Sequence, residues 1–320
     1  MYIKLFTNRK SLHIGNRLLK VQSYQSPKKL YKVIIMAKPG IKEQIEKLAL
    51  VTGSDQKLAP SLNLHKALLE VLRPLDESEG RGTKAVDWSG FSTIIEKSLT
   101  EKRHLSLYLD PSLFDLEVFT GTLLKLTDVL PSLLPSKDQI RRLSEAMKTG
   151  ELEVAEALQA MISEDASWLQ EKGQELGVDP SLFLAVLELP LKPFFEELSR
   201  RFEDVYIEDW WEPHCPICGR KPPVGRMMSK KLYLVCSYCG DKYAVDLFQC
   251  INCGNKDPTK LGFISPDSHP ELELHYCEVC KSYVKVINEE LSRSIPMGLE
   301  DLMTRGLDEL AQLPELGLAR

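Results

Sequence analysis

Several things are missing from this 320-residue sequence, and each absence removes a class of protein. No apolar run approaches the roughly 20 residues that cross a bilayer; "VIIM", Val33 to Met36, is the most apolar stretch near the start. That predicts a soluble chain. There is no GxxxxGK[ST], no GxGxxG after a strand and no GxSxG, so the phosphate-cradling loops and the hydrolase elbow are excluded. No HExxH occurs either. The first 35 residues hold eight Lys or Arg and not one Asp or Glu, and between Met36 and Ile207 there is no cysteine at all. A net charge of -5 gives no electrostatic reason for non-specific binding to nucleic acid or membrane.

The basic start lacks the compact apolar core of a secretion signal and has no twin-arginine pair. Residues 1–35 therefore read as a basic extension, disordered or not native, with Met36 as the natural start. Residues 36–207 read as an all-α domain of six or seven helices. In "ELEVAEALQAMISEDASWLQ" the positions Val154, Leu158, Met161, Ile162 and Leu169 fall on one helical face. "DPSLF" occurs twice, from Asp110 and from Asp179, each time pairing a capping Asp with a Pro whose missing N–H costs nothing. "DESEGRGTK", Asp76 to Lys84, reads as a loop. His65 and His104 stand alone and read as surface or satisfied histidines, and nothing catalytic shows in this part.

Composition changes at "EDWWEPHCPICG". All eight cysteines lie in four CxxC pairs: Cys215/Cys218, Cys236/Cys239, Cys250/Cys253 and Cys277/Cys280. Seventeen, ten and twenty-three residues separate successive pairs. A two-residue gap turns both sulfurs toward one ion, and four thiolates fill a tetrahedral zinc or iron site. Glycines 219, 240 and 254 follow three of the pairs, where the knuckle needs a positive φ. Disulfides lack a secretory context, and a thioredoxin-like couple shows one CxxC, not four. The expectation is two structural metal ions, zinc or iron. Cys215, Cys218, Cys236 and Cys239 form one site; Cys250, Cys253, Cys277 and Cys280 form the other. A cross-braced pairing, first with third and second with fourth, stays open. His214 and His275 adjoin the sites without being needed, and a filled tetrahedron leaves no position for substrate.

These residues carry a resemblance. "HCPICGRKPPVG", "LYLVCSYCGDKY", "QCINCGN" and "LHYCEVCKSYVKVIN" resemble the C-terminal half of the formate dehydrogenase accessory protein family (FdhE). "LEDLMTRGLDELA", Leu299 to Ala311, looks like that family's closing helix. Where the family pattern has Trp and a nearby Arg between the second and third pairs, this chain has Tyr243 and Leu247, which puts the identity of the partner in doubt.

The resemblance implies a cytoplasmic, non-enzymatic maturation factor that binds the catalytic subunit of a molybdenum or tungsten formate dehydrogenase and assists its assembly. The expected architecture is a mainly α N-terminal domain, two small rubredoxin-like or zinc-ribbon modules (208–245 and 246–290), and a C-terminal helix (291–320) packing on the body. Arg220, Lys221 and Arg226, in the basic segment after the first pair, are candidate partner-binding residues. The alternatives are a nucleic-acid-binding ribbon protein and a rubredoxin-like electron carrier. Residues 208–290 carry ten basic and twelve acidic side chains, the wrong balance for gripping phosphates.

Overall fold

The computed structural model describes residues 10–14, 17–22, 39–51, 58–78, 80–84, 86, 88–206, 210, 212–291 and 295–318. By its contacts the chain divides into two units. One is Pro39–Arg201 together with Ile217–Gly219; the other holds the remaining described residues. No described helix is long and apolar enough to cross a membrane.

The first unit is helical. Its elements are α1 (Ile41–Val51), α2 (Ala59–Glu77), α3 (Phe91–Glu101), α4 (Leu116–Val129), α5 (Lys137–Thr149), α6 (Val154–Ile162), α7 (Ala166–Glu175), α8 (Pro180–Glu188) and α9 (Lys192–Tyr206). The sequence predicts fewer and longer helices, and the reason lies in the caps. The stretch from Val154 to Leu169 is two helices: Glu164 turns to φ 55° and the Asp165 carboxylate accepts the Trp168 N–H at 3.0 Å, starting α7 afresh. The two "DPSLF" copies also differ. Asp179 caps α8 through the Ser181 and Leu182 N–H groups, whereas Asp110 opens only a 3-10 turn, Pro111–Leu113. α2 runs to Glu77, so the loop begins two residues later than Asp76. Leu62, Leu69, Leu123, Leu143, Phe183 and Leu198 fill the core, and Phe194 packs edge-on to Phe114 at 5.1 Å.

Polar groups also sit inside this unit. On α9, Lys192 pairs with Glu196 at 2.8 Å, and the same carboxylate oxygen accepts from the Gln44 amide at 3.2 Å. His104 is satisfied as expected, with Glu164 at 3.1 Å and Ser106 at 2.6 Å. His65 is not. Its Nε2 is buried without a hydrogen-bond partner, and burial, aided by Lys192, pushes its pKa down to about 4. His65 thus folds neutral. Its contribution to stability is complete above the unfolded value near 6.5 and drains away as pH falls toward 4, by up to about 3 kcal/mol. Urea unfolding of the helical unit at pH 7 and pH 4.5 should show that loss in the parent chain and a smaller one in His65→Leu.

The second unit is built on one sheet: β1 (Lys10–Ile14), β2 (Arg17–Gln22), β3 (Val224–Met228), β4 (Lys231–Val235), β5 (Lys242–Val245), β6 (Leu261–Pro266), β7 (Leu272–Cys277) and β8 (Tyr283–Asn288), in the order β1-β2-β6-β7-β8-β3-β4-β5. Each four-cysteine region contributes a three-stranded antiparallel meander, as the alternation in "KKLYLV" and "ELELHYC" predicts. The two ribbon-like meanders join in one sheet. β3 runs parallel to β8, with Val224 opposite Lys285 and Met227 opposite Asn288, so the two meanders share backbone hydrogen bonds.

The basic extension departs from the expectation of disorder where it is described. β1 and β2 pair antiparallel, and β2 adds to the edge of β6. Ile14 lies opposite Arg17, and the intervening pair in the sequence, Gly-Asn, is one that two-residue hairpins use. The rest of residues 1–35, and Met36, lie outside the described residues.

The C-terminal segment is two short helices, α10 (Glu300–Met303) and α11 (Arg305–Ala311). They pack on the sheet of their own unit, where Leu307 and Ala311 form a core with Ile264 and Leu274. Among polar residues, Lys285 on β8 is fully buried and donates to Asp301 at 2.6 Å and Asp308 at 2.7 Å, tying both helices to the strand.

Candidate metal centres

Each CxxC pair sits on a tight knuckle with one backbone pattern. The first cysteine's N–H donates to the carbonyl five residues on: Cys215 to Arg220, Cys236 to Asp241, Cys250 to Asn255 and Cys277 to Ser282, at 2.7–3.0 Å. In the last three, the N–H four residues on returns to that cysteine's carbonyl, from Gly240, Gly254 and Lys281. Closing this loop demands positive φ at the fourth residue: Gly219 (75°), Gly240 (71°), Gly254 (72°) and Lys281 (60°). Three knuckles have the glycine that geometry favours and the fourth has lysine. A left-handed lysine costs roughly 1–2 kcal/mol, partly offset by the freer unfolded glycine. Lys281→Gly should therefore stabilise the fourth knuckle by about 0.5–1 kcal/mol, read as a higher urea midpoint for the sheet unit.

The knuckles meet in two groups. The sulfurs of Cys215, Cys218, Cys236 and Cys239 all lie within 4.8 Å of one another, as do those of Cys250, Cys253, Cys277 and Cys280. The first pair is thus beside the second and the third beside the fourth. β4 leads into Cys236 and β7 ends at Cys277, and these strands set the second knuckle of each group against the first. All eight cysteines are free thiols. Sulfur separations of 3.5 Å (Cys215–Cys239), 3.6 Å (Cys250–Cys280) and 3.8 Å (Cys253–Cys277) far exceed the ~2.05 Å of a disulfide. They match the edge of a thiolate tetrahedron around zinc, about 3.8 Å for a 2.3 Å bond. Both groups fit a metal ion with four sulfur ligands, and the donor set suits zinc or iron alike.

The surroundings differ. Cys215, Cys236 and Cys239 are buried, with Ile217 and Asp241 fully buried beside them and Tyr238 covered by the Arg220 guanidinium, 3.3 Å above its ring. In the other group Cys253 is exposed and Cys280 half-buried. Burial alone would raise the Cys280 pKa, but the Ser282 hydroxyl and N–H, Cys253 and Asn252 together bring it down to about 6. His275 stands outside the four-sulfur group, and its Nε2 lies 2.6 Å from Glu273. His214 accepts the Trp210 indole N–H on its backbone carbonyl at 2.7 Å.

The three candidate partner-binding cations separate. Lys221 is exposed and bonds Asn252 of the third knuckle, and Arg220 is half-buried. Arg226 is 4 % exposed and cannot face a partner. Its guanidinium donates to Glu300 at 2.8 and 3.0 Å, to the Ile295 carbonyl at 3.0 Å and to Glu289. The sequence showed a local basic run; the acids that absorb Arg226 lie more than sixty residues away, beyond any local pattern.

No family model matches the chain. It is similar to proteins named FdhE homolog: 27 % identical over 165 residues to that of Aquifex aeolicus, covering 50 % of this chain and 58 % of that one. The Proteus mirabilis protein is 26 % identical over 198 residues, 60 % of each chain, and that of Edwardsiella ictaluri 30 % identical over 153 residues, 45 % and 47 %. The matches thus span less than two thirds of these relatives' length. In fold, the chain is similar to the crystal structure of the FdhE protein from Pseudomonas aeruginosa, with a TM-score of 0.52, 20 % identity and coverage of 88 % of this chain and 91 % of that one. The chain is FdhE-like in sequence and in fold.

Proposed function

We propose that this chain is a cytoplasmic accessory factor for a molybdenum- or tungsten-containing formate dehydrogenase, binding that enzyme's catalytic subunit and assisting its assembly or activation without catalysing a reaction itself. The observation that carries the reading is the pair of four-sulfur groups in a chain similar to FdhE proteins in sequence and fold. Eight cysteines divided four and four would leave each ion no open position, so zinc or iron here would act by cross-linking the knuckles. The cavity beside Cys250 and Cys277 measures about 50 Å³, room for a water or two and no substrate. Of the three candidate cations, Lys221 is exposed and Arg220 half-buried, so these two keep surface for a partner.

The test is co-purification. The tagged chain, expressed in its native host during growth on formate, should retain the formate dehydrogenase catalytic subunit. Arg220→Glu with Lys221→Glu should reduce that recovery at least about tenfold, one ion-pair-sized loss, while metal content stays at two per chain. Recovery of nucleic acid or an unrelated complex, with no dehydrogenase, would overturn the reading.

A further inference from the structure

The two four-sulfur groups are built from the same knuckle yet present themselves differently to solvent. Around the first group, Cys215 and Cys239 are 0 % exposed, Cys236 2 % and Cys218 half-buried, and Ile217 and Tyr238 beside them are buried. Around the second, Cys253 is exposed, its neighbours Asn252 and Gly254 are exposed, and Val279 at the tip of the fourth knuckle is 59 % exposed. The packing beneath differs as well. The buried cluster at the second group consists of Cys250, Leu261 and Cys277, so two of its three members are themselves metal ligands. Besides the ion, the third knuckle is held by its own two backbone hydrogen bonds and, at the surface, by Lys221 on Asn252. Residues 256–260, which follow it, are exposed throughout.

We infer that the second group is an exchangeable metal site with Cys253 as its reactive thiol, whereas the first is closed and permanent. An ion leaves a tetrathiolate site when an incoming ligand reaches it and one sulfur swings away. At Cys253 both are possible without disturbing β6, β7 or β8, because the knuckle turns outside the strands and local opening costs least where few apolar contacts must break. At the first group an incoming ligand finds three buried sulfurs and one, Cys218, half-buried, and none is exposed as Cys253 is. The second site would thus accept its ion from a donor, or yield it to one, while the sheet stays folded. This holds whichever client the chain serves.

The experiment uses the full chain loaded with two equivalents of zinc. Under native conditions it is mixed with the chromogenic chelator 4-(2-pyridylazo)resorcinol and followed by absorbance and native mass spectrometry. One equivalent should transfer at least about tenfold faster than the other, leaving a one-zinc species. Iodoacetamide in parallel should label Cys253 first: its thiolate attacks the methylene carbon, the carbon–sulfur bond forms, and iodide departs. Cys215, Cys218, Cys236 and Cys239 should stay unlabelled until denaturant is added. Cys253→Ser should lose the fast phase and keep one tightly held zinc. If that variant does not fold, the order of release and labelling in the parent chain decides the matter. Simultaneous loss of both ions, or first labelling at Cys218, would overturn the inference.

Discussion

Stripping both metals with a strong chelator in mild denaturant should unfold the sheet unit and leave the helical unit standing. The knuckles are loops of irregular backbone that carry seven of the eight ligands, Cys277 ending β7, and four thiols crowd within 4.8 Å at each site. Apolar clusters would remain, among them Ile264, Leu274, Leu307 and Ala311 at one place and Val224, Ile287 and Ile295 at another. A structural zinc site supplies about 10–16 kcal/mol of apparent binding energy in isolated fingers, more than a typical domain's whole stability. The helical unit has a core of its own, with Leu62, Leu69, Leu123, Leu143, Phe183 and Leu198 buried. Hydrogen exchange should show amides in 224–288 losing protection while α4, α5 and α8 keep theirs, with circular dichroism at 222 nm little changed. Restoring zinc should restore the sheet. A sheet that stays protected without metal would mean that β3–β8 pairing and the two C-terminal helices suffice, and that the ions serve the client, not the fold.

Much of this was legible in the sequence, and what was not has a common cause. Helices announce themselves by period and cap, and CxxC knuckles by spacing, so both appear within twenty residues of chain. The grouping of the cysteine pairs stayed open in the sequence because spacing favours but does not impose it; strands β4 and β7, delivering their knuckles to the neighbouring ones, decide it. The merging of the two meanders rests on a pairing between Val224 and Lys285, sixty-one positions apart, which leaves no local trace. Arg226 read as a partner-binding cation of a local basic segment for the same reason. Lys281 is a different kind of miss: three glycines in equivalent positions were visible, and the fourth knuckle simply tolerates the strain.

Removing the Arg226 charge should be among the most destructive single substitutions away from the cysteines. The guanidinium is 4 % exposed and faces Glu289 and Glu300, whose side chains are 7 % and 5 % exposed. Glu300 also accepts the Gly298 N–H at 2.7 Å, so this carboxylate organises the chain entering α10 as well as the arginine. In Arg226→Met the apolar replacement fills the space, but two buried carboxylates lose their counter-ion. Breaking one side of a buried pair costs about 3–5 kcal/mol, where replacing all partners together can be neutral. Urea unfolding of the metal-loaded chain should therefore show that loss for Arg226→Met, and most of it should return in the triple variant with Glu289→Gln and Glu300→Gln. Lys285→Met should cost less. Its partner Asp301 is 39 % exposed and can take water when the ammonium goes, although Asp308, at 17 %, recovers less. Equal losses at the two positions would mean that tying the C-terminal helices to the sheet, not the burial of unpaired charge, sets the cost.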